Sequence, residues 1–204
     1  MKNVILGLIT LFPLVIFAQD FKTTIEKHRE AYKAEFLKSA NSPLKQEDFG
    51  YLQFYEPNEK FNVACEFFAT KTRKAAQNKP IEIPTSAGKT KTYVKFGELR
   101  FKIDGQKHKL TVYQSIGLKA MPQYRDYLFI PFKDLTNGKE SYGGGRYLDL
   151  RMNQMEGDTV FLDFNKAYNP YCAYSDGYSC PIPPKGNHLK VAIEAGEKNF
   201  TKSH

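Results

Sequence analysis

Between Asp20 and Ser39 the apolar residues Ile25, Tyr32, Phe36 and Leu37 fall on one stripe, with Glu26, Lys27, Glu30 and Lys33 off it. That spacing predicts an amphipathic helix over about 20–39, and Asn41-Ser42-Pro43 stops it. Beyond this point the period shortens to two. Tyr51 to Tyr55 reads as a strand ended by Pro57-Asn58, and Phe61, Val63, Cys65 and Phe67 alternate along a second. Lys71 to Lys79 is polar, and Ile81 and Ile83 then alternate up to Pro84. Tyr93 to Ile103 shifts phase near Gly97, which predicts a β-bulge. Asp104-Gly105 signals a hairpin that returns through Leu110 and Val112. Tyr127 to Phe132 is apolar, with Pro131 indicating an edge or terminal position. Asn137-Gly138 marks a further turn. Arg146 to Leu150 and Thr159 to Phe164 flank Gly157-Asp158 and read as another hairpin, and Val191 to Glu194 as a closing strand. Tyr168 to Asn187, rich in Pro, Cys and Gly, reads as an ordered loop or tail. Roughly eight or nine short strands behind one helix predict a mainly β chain: a β-sandwich or open barrel with an N-terminal helix and a Cys/Pro-rich C-terminal loop.

The first residues change the expected extent of the domain. Met1-Lys2-Asn3 precedes an apolar run from Val4 to Phe17, and Ala18-Gln19 follows. A positive head, a short apolar run and a small residue describe an export signal over residues 1–18, cut near Ala18. The run is short of the roughly 20 residues that span a bilayer and contains Pro13. The expectation is a periplasmic or secreted protein, without stable membrane insertion after cleavage, whose residues 19–204 form one β-rich domain. Composition agrees with a folded chain: 41% hydrophobic and 14% aromatic in 204 residues excludes a disordered or collagen-like polymer. The net charge of +8 is carried mostly by scattered Lys. It reads as a solvated surface or as attraction for an anionic partner, and export argues against nucleic acid.

Several chemistries have no motif here. There is no phosphate-binding Gly-rich loop, no His-Glu-x-x-His, no nucleophile elbow and no Ca²⁺ loop. Gly143-Gly144-Gly145 lacks dinucleotide spacing, and the four His residues are not paired at ligand distance, so no cofactor and no metal are expected.

The densest region runs from Ser141 to Lys198. It contains Gly144-Gly145-Arg146-Tyr147-Leu148, then Asp163-Phe164-Asn165-Lys166-Ala167-Tyr168-Asn169-Pro170, then Cys180-Pro181-Ile182-Pro183-Pro184, and ends in Ala195-Gly196-Glu197-Lys198. These strings resemble the bacterial domain of unknown function 1684, an uncharacterised exported family. The resemblance implies no established activity. One departure is His188, which stands after Asn187 where a basic Arg is expected, so a role that needs imidazole there has no support.

The chemistry of these residues is open to more than one reading. The glycines before Arg146 allow a turn whose amides face an anion, and Arg146 can add a forked hydrogen bond; the alternative is a bulge with Arg146 paired to Asp149 or Asp163. Asp163, Asn165 and Asn169 suit either a polar binding cluster or the support of an irregular loop. Tyr142, Tyr147, Tyr168, Tyr171, Tyr174 and Tyr178 offer rings with hydroxyl tips, suited to sugar or peptide contact or simply to packing. The candidate ligand-binding residues are therefore Tyr142, Arg146, Asp163, Asn165 and Asn169. In an oxidising compartment Cys172 and Cys180 read as a disulfide, and Cys65 as a core thiol. The leading function is a binding domain for a small anionic or glycan ligand or a protein partner. The alternatives are an envelope hydrolase, with Asp163 as acid/base and Arg146 holding substrate charge, and a purely structural domain.

Overall fold

The computed structural model describes residues 13–70, 79–157 and 159–202. The apolar start of the expected export signal and most of the polar stretch Lys71 to Lys79 lie outside these residues. A long helix, α1 (Pro13–Lys38), leads into seven strands: β1 (Asn62–Ala69), β2 (Ile81–Pro84), β3 (Thr90–Ile103), β4 (Gln106–Ser115), β5 (Tyr127–Phe132), β6 (Arg146–Arg151) and β7 (Val160–Asp163). They form one curled antiparallel sheet in the order β6-β5-β4-β3-β1-β7, with β2 also paired to β3. The open half-barrel is therefore the architecture adopted, and no second facing sheet exists among the described residues.

The β3–β4 hairpin turns at Asp104 and Gly105, both at positive φ. The bulge falls between Lys95 and Gly97, as the phase shift required. It decides which face each strand half presents. After it, Leu99, Phe101 and Ile103 enter the main core with Leu110, Val112, Leu128, Ile130 and Leu148. Before it, Tyr93 points to the other face, where it joins Ile83, Tyr113, Phe129 and Tyr147 in a separate aromatic cluster. One extra residue thus makes both faces of the sheet apolar over part of their area.

Three expectations need correction, and that for Pro131 is met in one of its two forms. Tyr51 to Tyr55 is not a strand; a 3-10 turn occupies Gln46–Tyr51, and only Phe54 bridges, to Glu197. β6 and β7 are not a hairpin: they lie on opposite edges of the sheet, joined through a 3-10 turn at Met152–Met155. Pro131 takes the terminal position that was one of its two expected places, next to last in β5, although β5 itself is interior; β4 and β5 have diverged there, pairing only at Tyr113 and Phe129. Asn187 fills the gap, donating to the carbonyls of Thr111 and Pro131 and accepting from the Thr111 amide. Val191 to Glu194 forms no strand: the Val191 carbonyl accepts from the Leu135 amide, and Ile193 gives its carbonyl to Arg146 and its amide to the Asp134 carboxylate.

Helix α1 buries Ile25 and Phe36 as its stripe predicts, while Leu37 is exposed. Tyr32 and Phe36 pack on Tyr168, Tyr171 and Tyr174 of the tail, so the helix covers the segment that follows β7.

Candidate ligand-binding site

Arg146 opens β6 on the same side as Leu148 and Leu150, and its guanidinium is fully buried. It donates to the carbonyls of Ile193, Ala195 and Glu197 and pairs with the Asp134 carboxylate at 2.8 Å, both side chains wholly out of solvent. The other Asp134 oxygen accepts from the Thr136 amide and hydroxyl and from the Ile193 amide. The glycines before it serve this packing. Gly145 has φ +96°, and a Cβ there would meet the Phe132 carbonyl at 2.7 Å. The partner is therefore Asp134, not Asp149 or Asp163, and Arg146 faces no ligand space.

The other expected residues also turn inward. Asp163 caps the turn Phe164–Lys166 and holds the Asn165 amide and side chain at 3.0 and 2.8 Å. Asn165 in turn pairs with the backbone of Asn58 through both its oxygen and its nitrogen. Asn169 donates its amide to Glu197 and its side chain to the Lys198 carbonyl. Tyr142 is half-buried and reaches the Cys172 carbonyl at 3.4 Å. Arg146, Asp163 and Asn169 do not converge on an open pocket, so a hydrolytic pairing of Asp163 with Arg146 has no geometry behind it.

Glu197 completes a second buried network. Its carboxylate accepts from the Tyr174 and Tyr32 hydroxyls and the Asn169 amide, and no cation among the described residues pairs with it. Burial pushes its pKa up to about 7, against the pull of those donors. Cys172 and Cys180 are joined in a disulfide, and Cys65 is a buried free thiol whose pKa burial raises to about 12. His188 contacts the Pro183 carbonyl.

The open site lies on the second face of the sheet. Tyr93 from β3, Tyr127 and Phe129 from β5 and Tyr147 from β6 form its floor. The tail supplies the walls: Tyr168, Tyr171 and the run Tyr178 to Pro181. The enclosed volume is about 360 Å³, within the range that holds a small ligand. The disulfide fixes the walls, since it closes the segment between Tyr171 and Pro181. The Tyr147 hydroxyl is spent on the Pro181 carbonyl, which ties floor to wall.

Asp149 is not part of the pocket's lining but is held by two of its tyrosines, and it lies directly opposite Phe129 across β5 and β6. The Tyr127 hydroxyl donates to it at 2.6 Å and the Tyr168 hydroxyl at 2.9 Å. The side chain opens to solvent, yet dense surrounding protein raises its pKa to about 6, while the two hydroxyls and the charge of Arg151 lower it. Arg151 itself pairs with Asp126. Lys91, exposed, also lines the pocket. Of these residues, the sequence reading singled out Tyr147, Tyr168, Tyr171 and Tyr178 but missed Asp149, Tyr93, Tyr127 and Phe129. The alternation of Tyr147, Asp149 and Arg151 against Leu148 and Leu150 is the signal that points to Asp149.

Residues 47–198 match the family model described as a protein of unknown function, DUF1684. The chain belongs to the DUF1684 family. The DUF1684 match spans Arg146 with its partners, every lining residue of the pocket, and the Glu197 network except for Tyr32. Among solved structures, the chain is similar to an uncharacterised protein of Haloarcula marismortui determined in solution by NMR. The two are 30% identical with a TM-score of 0.65, covering 89% of this chain and 95% of the other. No curated protein matches the chain. No helix among the described residues is long and apolar enough to cross a membrane, and the disulfide is compatible with an extracellular location.

Proposed function

We propose that this DUF1684 protein is an exported binding domain whose ligand is a saccharide held in the tyrosine-lined pocket. The observation that carries the reading is the pairing of seven aromatic side chains with one solvent-open carboxylate. Ring faces suit the C–H face of a sugar, and a carboxylate already anchored by two tyrosines keeps lone pairs for sugar hydroxyls. An anionic ligand is disfavoured in the same place, because Asp149 carries the wrong charge and Arg146 is occupied. The export signal at residues 1–18 and the disulfide support a periplasmic or secreted setting.

The test is calorimetric titration of the protein with a panel of neutral mono- and oligosaccharides, with amide NMR shifts recorded in parallel. Saturable binding with shifts at Tyr93, Tyr147 and Tyr168 is expected. Tyr171→Ala should weaken it about tenfold, since Tyr171 lines the pocket and is 37% exposed beside its ring contacts with Phe36 and Tyr178. Absence of binding across the panel, or unchanged affinity in Tyr171→Ala, overturns the assignment.

A further inference from the structure

The pocket occupies one end of the sheet's second face; the other end is uncovered and cationic. There β3 and β4 place like charges directly opposite one another in two successive pairs, Arg100 against Lys109 and Lys102 against Lys107. Facing cations across a ladder destabilise it unless something compensates. For the first pair the compensation is internal: Glu98 holds Arg100 at 2.8 Å and Lys109 at 3.3 Å. Lys102 and Lys107 have no ion-pair partner among the described residues. Lys60 nearby is paired to Asp104. A groove of about 1030 Å³ runs over this end, its lining including Ala64, Glu66, Arg100, Lys102, Lys107 and Lys109. Glu66, opposite Arg100 on β1, is the groove's one carboxylate.

We propose that this groove binds a linear acidic polysaccharide, with Lys102 and Lys107 as its principal anion contacts. Two rows of cations along neighbouring strands, each repeating every second residue or roughly 7 Å, match a chain with regularly spaced carboxylates rather than a single small anion. Phe101, the one phenyl ring in the lining, is 4% exposed, while Phe68 and Phe161, 42% and 61% exposed, stand beside the groove on the same face, Phe161 directly opposite Ala64 and Phe68 under the Arg100 guanidinium. Single-stranded nucleic acid, which stacks its bases on such rings, and an anionic membrane surface are the competing occupants; the exported setting proposed above disfavours the first, and the vesicle arm of the test decides the second.

The test is binding of the full chain to immobilised polygalacturonate at about 0.15 M salt, where weak surface attraction is screened. The double variant Lys102→Glu/Lys107→Glu is compared with a charge-matched control, Lys119→Glu/Lys190→Glu, both of whose lysines are exposed and remote from the groove. The first should lose about tenfold or more in affinity and show a shallower salt dependence, while the control keeps both. Circular dichroism of both variants verifies the fold, and Tyr171→Ala should bind as the parent does, which separates this site from the pocket. Equal loss in the two double variants overturns the proposal. So does tighter binding to a single-stranded oligonucleotide, or to phosphatidylglycerol vesicles, than to polygalacturonate.

Discussion

Replacing Arg146 by Met removes a buried cation while roughly preserving side-chain length. The Asp134 carboxylate, 0% exposed, then loses the charge it pairs with at 2.8 Å. Breaking such a pair from one side costs about 3–5 kcal/mol, because the remaining charge is stranded away from water. The Ile193, Ala195 and Glu197 carbonyls lose their donor as well. Each buried acceptor left open adds about 1–3 kcal/mol, though not additively. A loss of at least about 4 kcal/mol is therefore expected, a large part of the 5–15 kcal/mol typical of a domain. Urea unfolding followed by far-UV circular dichroism measures it, and hydrogen exchange across residues 191–198 should show the tail opening first. Asp134→Asn added to Arg146→Met should restore part of the loss, since it removes the stranded charge and keeps an oxygen for the Thr136 and Ile193 amides. A loss below about 1.5 kcal/mol, or a double variant no better than Arg146→Met alone, would refute the stranded-charge reasoning.

Glu197 carries a folded-state pKa of about 7, above its ordinary 4.5, so it stabilises the fold fully below about pH 4.5 and progressively less as pH rises through 7. Thermal melts across this window should show Glu197→Gln losing that slope relative to the parent, by about 3 kcal/mol at most. Reducing the Cys172–Cys180 bond, or replacing both residues with Ser, should cost about 2–3 kcal/mol for so short a loop and weaken saccharide binding by loosening the pocket wall; urea midpoints and calorimetry report the two effects. Gly196→Ala should destabilise by about 2 kcal/mol or more, seen as a lowered melting temperature. Its φ is +77°, and the new Cβ would lie 2.6 Å from the Ala167 carbonyl, a backbone atom that cannot swing away.

The strands of the β3–β4 hairpin, its bulge and the leading helix were legible because each is written in local periodicity and turn chemistry. The sheet order was not. β6 and β7 are separated by a Gly-Asp signal that reads as a hairpin, yet β7 pairs with β1, almost a hundred residues earlier, and no local pattern records that choice. The site was half legible. The tyrosines of the tail were visible as a crowd, but Arg146 was read as a ligand group because an Arg after glycines suggests an anion turn. Its parity with Leu148 and Leu150 argued the opposite and outweighs motif shape. Asp134, its true partner, lies in an undistinguished turn and is identified only by what the folded chain brings to it. Asn187 was passed over for the same reason: its value is the gap between β4 and β5, and that gap is a tertiary fact.

The grip of Arg146 on Ile193, Ala195 and Glu197 has a consequence for biogenesis. Until the ribosome has added those late residues, a bare guanidinium waits in what must become the driest part of the molecule. Closure of the core is thereby postponed until residues 193–197 arrive, about fifty residues after the arginine itself, so the guanidinium and the tail must leave water together in one late step.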